Sequence, residues 1–92
     1  LELAQKISGL AANIREMPQV NRDTLRCLLV HLDKVQAFQE YNMMNSENLS
    51  IVFGPTILPP DNAPSNAALD IRRSARMVKF ILDNRRAIFD AL

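Results

Sequence analysis

The sequence has no tryptophan, one cysteine, two glycines and no excess of charge of either sign, and each shortage narrows what it can be. A lone thiol, Cys27, closes no internal disulfide, so a reducing, cytoplasmic setting is expected rather than a stapled secreted scaffold. Eleven Lys and Arg against ten Asp and Glu leave a net charge of +1, without the concentrated basic face that nucleic-acid binding needs. No apolar run approaches the roughly 20 residues that cross a membrane, and no signal-peptide pattern opens the chain. Gly54 stands alone, with no Gly-Lys-Ser/Thr after it, so there is no phosphate-cradling loop. One histidine and one cysteine make no metal-ligand set, and neither metal nor cofactor is expected.

What is there is apolar and periodic. The chain has 92 residues, 48% apolar and 23% charged. That is one domain or part of one, able to bury about 60–65% of its unfolded surface in a modest core. It opens on Leu1, in helical pattern almost at once, which fits a piece of a longer protein. Leu3, Ile7, Leu10 and Ile14 share one face of a first helix, which Pro18 ends by pushing its predecessor out of the α region. Asn21 offers an N-cap for a second helix whose stripe runs through Leu25, Leu28, Leu29, Leu32, Val35 and Phe38.

The stretch "MMNSENLSIVFGP" (43–55) raises the main question. Asn45 is a good cap for a third helix, which makes Asn48 its third residue and puts Met44 and Leu49 at the positions of a hydrophobic staple. Ile51, Val52 and Phe53 would also suit a short strand, but the cap, the staple and a stop at Gly54-Pro55 favour a short buried helix. Residues 56–66, "TILPPDNAPSN", carry three prolines and read as a loop. A last helix from about Ala67 to the end shows Ile71, Ala75, Val78, Leu82 and Phe89 in stripe, widened by Met77, Ile81 and Ile88. The expected fold is all-α, a bundle of four helices belonging to a larger domain.

Little of this carries chemistry. Cys27 and His31, spaced i, i+4, lack the partners of a nucleophile–base pair or a metal site. A small buried thiol beside a hydrogen-bonded or exposed histidine explains them better. Arg72, Arg73 and Arg76, with Lys79 one turn on, form a basic cluster that Asp70 and Asp83 are placed to pair with in part. The cluster reads as a solvated, partly paired face, or as a rim that meets an acidic protein surface. Asn48 either turns outward into water or is a rigid polar tip, with two donors and an acceptor, shown to a partner. The residues alone leave that choice open.

Together, "MPQVNRDTLRCLLVHLDKV" (17–35) and "NMMNSENLSIVFGPTIL" (42–58) resemble the second half of a RhoGAP domain, the GTPase-activating domain for Rho-family small GTPases. The family shows Leu-Pro-x-x-Asn-x-x-Thr-Leu-x-x-Leu-Leu-x-His-Leu-x-x-Val, then Asn-Lys-Met-Ser-x-x-Asn-Leu-Ala-x-Val-Phe-Gly-Pro. Pro18, Asn21, Thr24, Leu25, Leu28, Leu29, His31, Leu32 and Val35 match the first block. Asn42, Met44, Asn48, Leu49, Val52, Phe53, Gly54 and Pro55 match the second. Met17 stands for leucine, Met43 for a common lysine, Asn45 for serine or threonine and Ser50 for alanine. The closing "RMVKFILDNRRAIF" is similar to the family's last helix, more weakly.

The resemblance implies that Asn48 contacts the GTPase beside its switch regions, with Ile51 adding apolar contact and Arg72, Arg73 and Arg76 as candidate rim. It implies a partner, the GTP-bound form of a Rho-family GTPase, and a role in signal transduction as an activator rather than an enzyme. The family's arginine finger, in a Gly-x-x-x-Arg-x-Ser-Gly segment of the first half, has no counterpart here, so no arginine of this chain is assigned that role. A finger supplied in trans is worth roughly 10³–10⁵ in rate, and the chain alone is expected to be deficient. Bare apolar faces on the isolated piece imply self-association. The alternatives are a finger-less module that only binds GTPases, or a helical interaction module with no GTPase partner.

Overall fold

The computed structural model describes residues 2–59 and 67–92, and the side chains of 67–69 are outside that description. Its regular structure is helical throughout these residues: α1 (Glu2–Arg15), α2 (Gln19–Gln36), α3 (Gln39–Asn42), α4 (Ser46–Ile57), α5 (Ala67–Asp83) and α6 (Arg85–Asp90). The four long segments expected from periodicity are there, with two short helices added.

Ala11 and Ile14 of α1, Leu29 and Leu32 of α2, Leu49 of α4, Ile81 and Leu82 of α5 and Ile88 of α6 form one buried cluster. Each stripe thus finds a partner, but Leu3, Phe38 and Ile71 near the stripe ends and Met77 at the edge of the α5 stripe remain exposed. The second helix starts earlier than Asn21 suggests. Pro18, at φ −52° and ψ 144°, delivers the chain directly into α2, and no side chain caps it. Its carbonyl accepts the first helical bond from Arg22 N at 3.0 Å, which leaves Asn21 inside the helix.

The last helix is not continuous. Asn84, at φ −114° and ψ 18°, interrupts it, and its Nδ2 donates to the Phe80 carbonyl at 2.9 Å, closing off α5. The turn frees α6 to lie against both α1 and α2. Arg15 Nη2 donates to the Ala91 carbonyl at 2.6 Å. Arg85 Nη2 meets Asp33 Oδ2 at 2.6 Å, and the Arg26 guanidinium sits 5.9 Å from the centre of the Phe89 ring.

The most extensive pairing is α4 against α5. Gly54-Pro55 does not end α4, which continues to Ile57 with Pro55 inside it. A side chain at Gly54 would place its Cβ 2.9 Å from the Ala75 Cα and N, so this glycine serves close helix approach instead of a stop. Buried Ser50 and Ser74 extend the small-residue seam. Ser74 Oγ donates to the Leu58 carbonyl at 2.7 Å, pinning the end of α4 onto α5. Packing along this seam outweighs the one helical bond that Pro55 cannot make. Thr56 and Ile57 therefore belong to the helix and not to the loop, and residues 60–66 of that expected loop lie outside the described residues.

Candidate functional site

Asn45 caps α4 as its sequence suggests: its Oδ1 accepts from Asn48 N at 2.9 Å. Asn48 is the third helical residue, and Leu49 beneath it is buried while Met44 packs on the core. The cap and the staple hold the first turn of α4 so that Asn48 is exposed. Its amide is not free, however. Nδ2 donates to the Met43 carbonyl at 2.8 Å, which leaves Oδ1 and the second N–H to face outward.

That bond belongs to a turn that hydrophobic periodicity does not mark. Met43 ends α3 in the left-handed conformation, φ 60° and ψ 20°. Asn42 Nδ2 reaches back to the Val35 carbonyl at 2.9 Å, and its Oδ1 accepts Met44 N at 2.8 Å. Asn42, Asn45 and Asn48 thus stitch the whole crossing from α2 to α4. Three asparagines at a spacing of three were the signal, since each can satisfy backbone groups that a tight turn leaves orphaned.

Ile51 is 55% exposed, on the groove between α4 and α5. The groove encloses about 390 Å³ and is lined by Glu47, Ser50, Ile51, Arg72, Ala75, Arg76 and Lys79. The structure so brings Ile51 together with Arg72 and Arg76. Arg73, 100° round the helix, lines a separate concavity of about 610 Å³ with Lys6, Leu10, Asn13 and Phe80. Arg76 borders both. Lys79 Nζ donates to Asp83 Oδ2 at 2.8 Å, and that hydrogen bond raises its pKa. Among the described residues no ion pair engages Arg72, Arg73 or Arg76. The groove therefore offers two guanidinium groups with no ion-pair partner among the described residues, beside an aliphatic surface and with Glu47 at one side.

Cys27 and His31 do not make a core pair. Both are exposed on α2, so the expectation of a buried thiol is corrected. The stripe residues Leu25, Leu28, Leu29 and Leu32 take the inner face of α2 and turn residue 27 outward. Among the described residues no helix is long and apolar enough to cross a membrane.

The family profile of the RhoGAP domain matches residues 2–62. The chain belongs to the RhoGAP family. It is 33% identical over 86 residues to Rho GTPase-activating protein 15 of Gallus gallus, covering 94% of this chain and 18% of that protein. It is 38% identical over 74 residues to beta-chimaerin of Rattus norvegicus, covering 79% of this chain and 25% of the relative. The crystal structure of human Rho GTPase activating protein 15 superposes with a TM-score of 0.83 at 32% identity, over 90% of this chain and 39% of that one. The RhoGAP chain described here thus spans a quarter or less of the length of these two relatives.

Proposed function

We propose that the chain is the C-terminal portion of a RhoGAP domain that binds the GTP-bound form of a Rho-family small GTPase and helps stimulate its GTP hydrolysis. The preceding portion of the domain supplies the arginine finger. The GTPase carries out the hydrolysis, and the domain completes its site with positioned charge, so the chain is an activator and not an enzyme. Asn48 and Ile51 contact the GTPase, and Arg72 and Arg76 form the rim where an acidic surface docks. Arg73 lines the separate concavity against α1 and stands outside that rim.

The observation that carries this reading is the exposed face of α4. Ile51, a large aliphatic side chain more than half exposed, shares its groove with two arginines, one turn after a capped asparagine. An aliphatic anchor flanked by guanidinium groups is what a protein interface uses.

The test is titration of GTP-loaded and GDP-loaded Rho-family GTPases with the protein that carries this chain. The expected result is tighter binding of the GTP-loaded form, weakened about tenfold or more by Ile51→Asp with helicity unchanged. Equal affinity for both nucleotide states, or no loss on Ile51→Asp, would sink the proposal.

A further inference from the structure

Met43 is the one non-glycine residue among those described with a positive φ, 60°, and its side chain is 76% exposed. L side chains rarely adopt this conformation, and helix ends that require it normally use glycine or asparagine. Methionine has neither glycine's freedom nor a side-chain amide to offset the strain, and at this exposure it adds nothing to the core. The backbone is held there all the same. Met43 N donates to the Gln39 carbonyl at 2.9 Å, Asn48 Nδ2 donates to the Met43 carbonyl, and the preceding Asn42 accepts from Met44 N while its Nδ2 anchors it to the Val35 carbonyl. A strained residue that the fold over-determines but does not use for packing points to a task at the surface.

We propose that Met43 is a further contact residue for the GTPase, an apolar knob that Asn48 positions, and that it helps to select among Rho-family members. This rests on the reading of Asn48 and Ile51 as partner-facing. Asn48 and Met43 are joined by a 2.8 Å hydrogen bond, so a partner that reaches the outward atoms of Asn48 lies beside Met43. An unbranched thioether on a fixed backbone fits an apolar hollow and adapts to its shape. A partner that presents a carboxylate at that spot leaves the carboxylate unpaired and is disfavoured. Phe38 and Tyr41, 62% and 85% exposed, precede it and add uncharged surface. The family pattern commonly carries lysine at this position, where this chain has an uncharged thioether.

The experiment measures affinity for a panel of GTP-loaded Rho-family GTPases, together with thermal melts, for the protein that carries this chain and for its Met43→Gly, Met43→Lys and Asn48→Ala variants. Glycine relieves the backbone and removes the knob. The expected result is a melting temperature equal to or above wild type, with about fivefold weaker binding of the preferred GTPase. Met43→Lys keeps the fold and changes the order of preference across the panel. If both variants bind the whole panel as wild type does while Asn48→Ala weakens it, Met43 is only a turn residue and the wider reading stands. If Asn48→Ala and Ile51→Asp leave binding unchanged as well, both fall. A lower melting temperature for Met43→Gly would show that the side chain supports the fold, and would overturn the inference too.

Discussion

Asn48 Nδ2 donates to the carbonyl of Met43 at 2.8 Å, and through that bond the residue expected to face a partner also fastens the turn that leads into its own helix. An exposed hydrogen bond of this kind contributes about 1 kcal/mol. Asn48→Ala should lower stability by that amount in chemical denaturation. The loss should shrink in a Met43→Gly background, because glycine accepts the left-handed conformation without help. Additive losses in the two backgrounds would show that the bond does not act through the turn.

Two glycines in helices should respond to alanine with opposite signs. Gly9 has nothing within 4 Å of where a Cβ would stand, so Gly9→Ala gains the usual helix propensity, about 0.5–1 kcal/mol. Gly54→Ala would drive a Cβ to 2.9 Å from the Ala75 backbone, where nothing flexible can yield. Separation of α4 from α5 should cost about 1–3 kcal/mol. Paired thermal melts check both, and a stabilised Gly54→Ala protein contradicts the packing described.

The Asp33–Arg85 pair makes a pH-dependent contribution. The Arg85 guanidinium, and then the Gln36 amide, hold the Asp33 carboxyl below the usual carboxylate range. A depressed pKa stabilises the folded state above the ordinary value of about 4 and gives that stability up as the pH falls through the lowered value. The Asp33 side chain is 36% exposed, so solvent screening limits the effect to about 1 kcal/mol. Arg85→Met should therefore destabilise at pH 7 and converge on wild type in acid. A difference that persists unchanged in strong acid would assign the loss to packing.

Cys27, exposed on α2, should react with a thiol reagent in the native protein, with the helical signal retained. Protection until the chain is denatured would place it back in the core.

Much of the architecture was legible because periodicity and capping are local. The stripes of α1, α2 and α5, the Asn45 cap and the Met44–Leu49 staple all follow from spacing alone. What could not be read depended on distant partners. Gly54-Pro55 has the composition of a stop, and only the α5 backbone beside Gly54 reveals why the helix passes through it. Asn84 resembles an ordinary helical residue until α6 is seen to turn toward α1 and α2. At the site, Ile51 with Arg72 and Arg76 came together across α4 and α5, whereas Arg73 faces the concavity against α1. The Asn42–Met43 turn escaped notice because its bonds run between side chain and backbone, where no pattern of hydrophobicity records them.

The most direct test of the account is single-turnover phosphate release from GTP-loaded Rho-family GTPases, with the protein that carries this chain added as wild type or as Asn48→Ala. Marked acceleration by the wild type, reduced in a variant whose helical content and cooperative melting behaviour match it, is the predicted result. No acceleration of any member of the family would leave at most a binding module, and acceleration indifferent to Asn48 would remove the α4 face from the working surface.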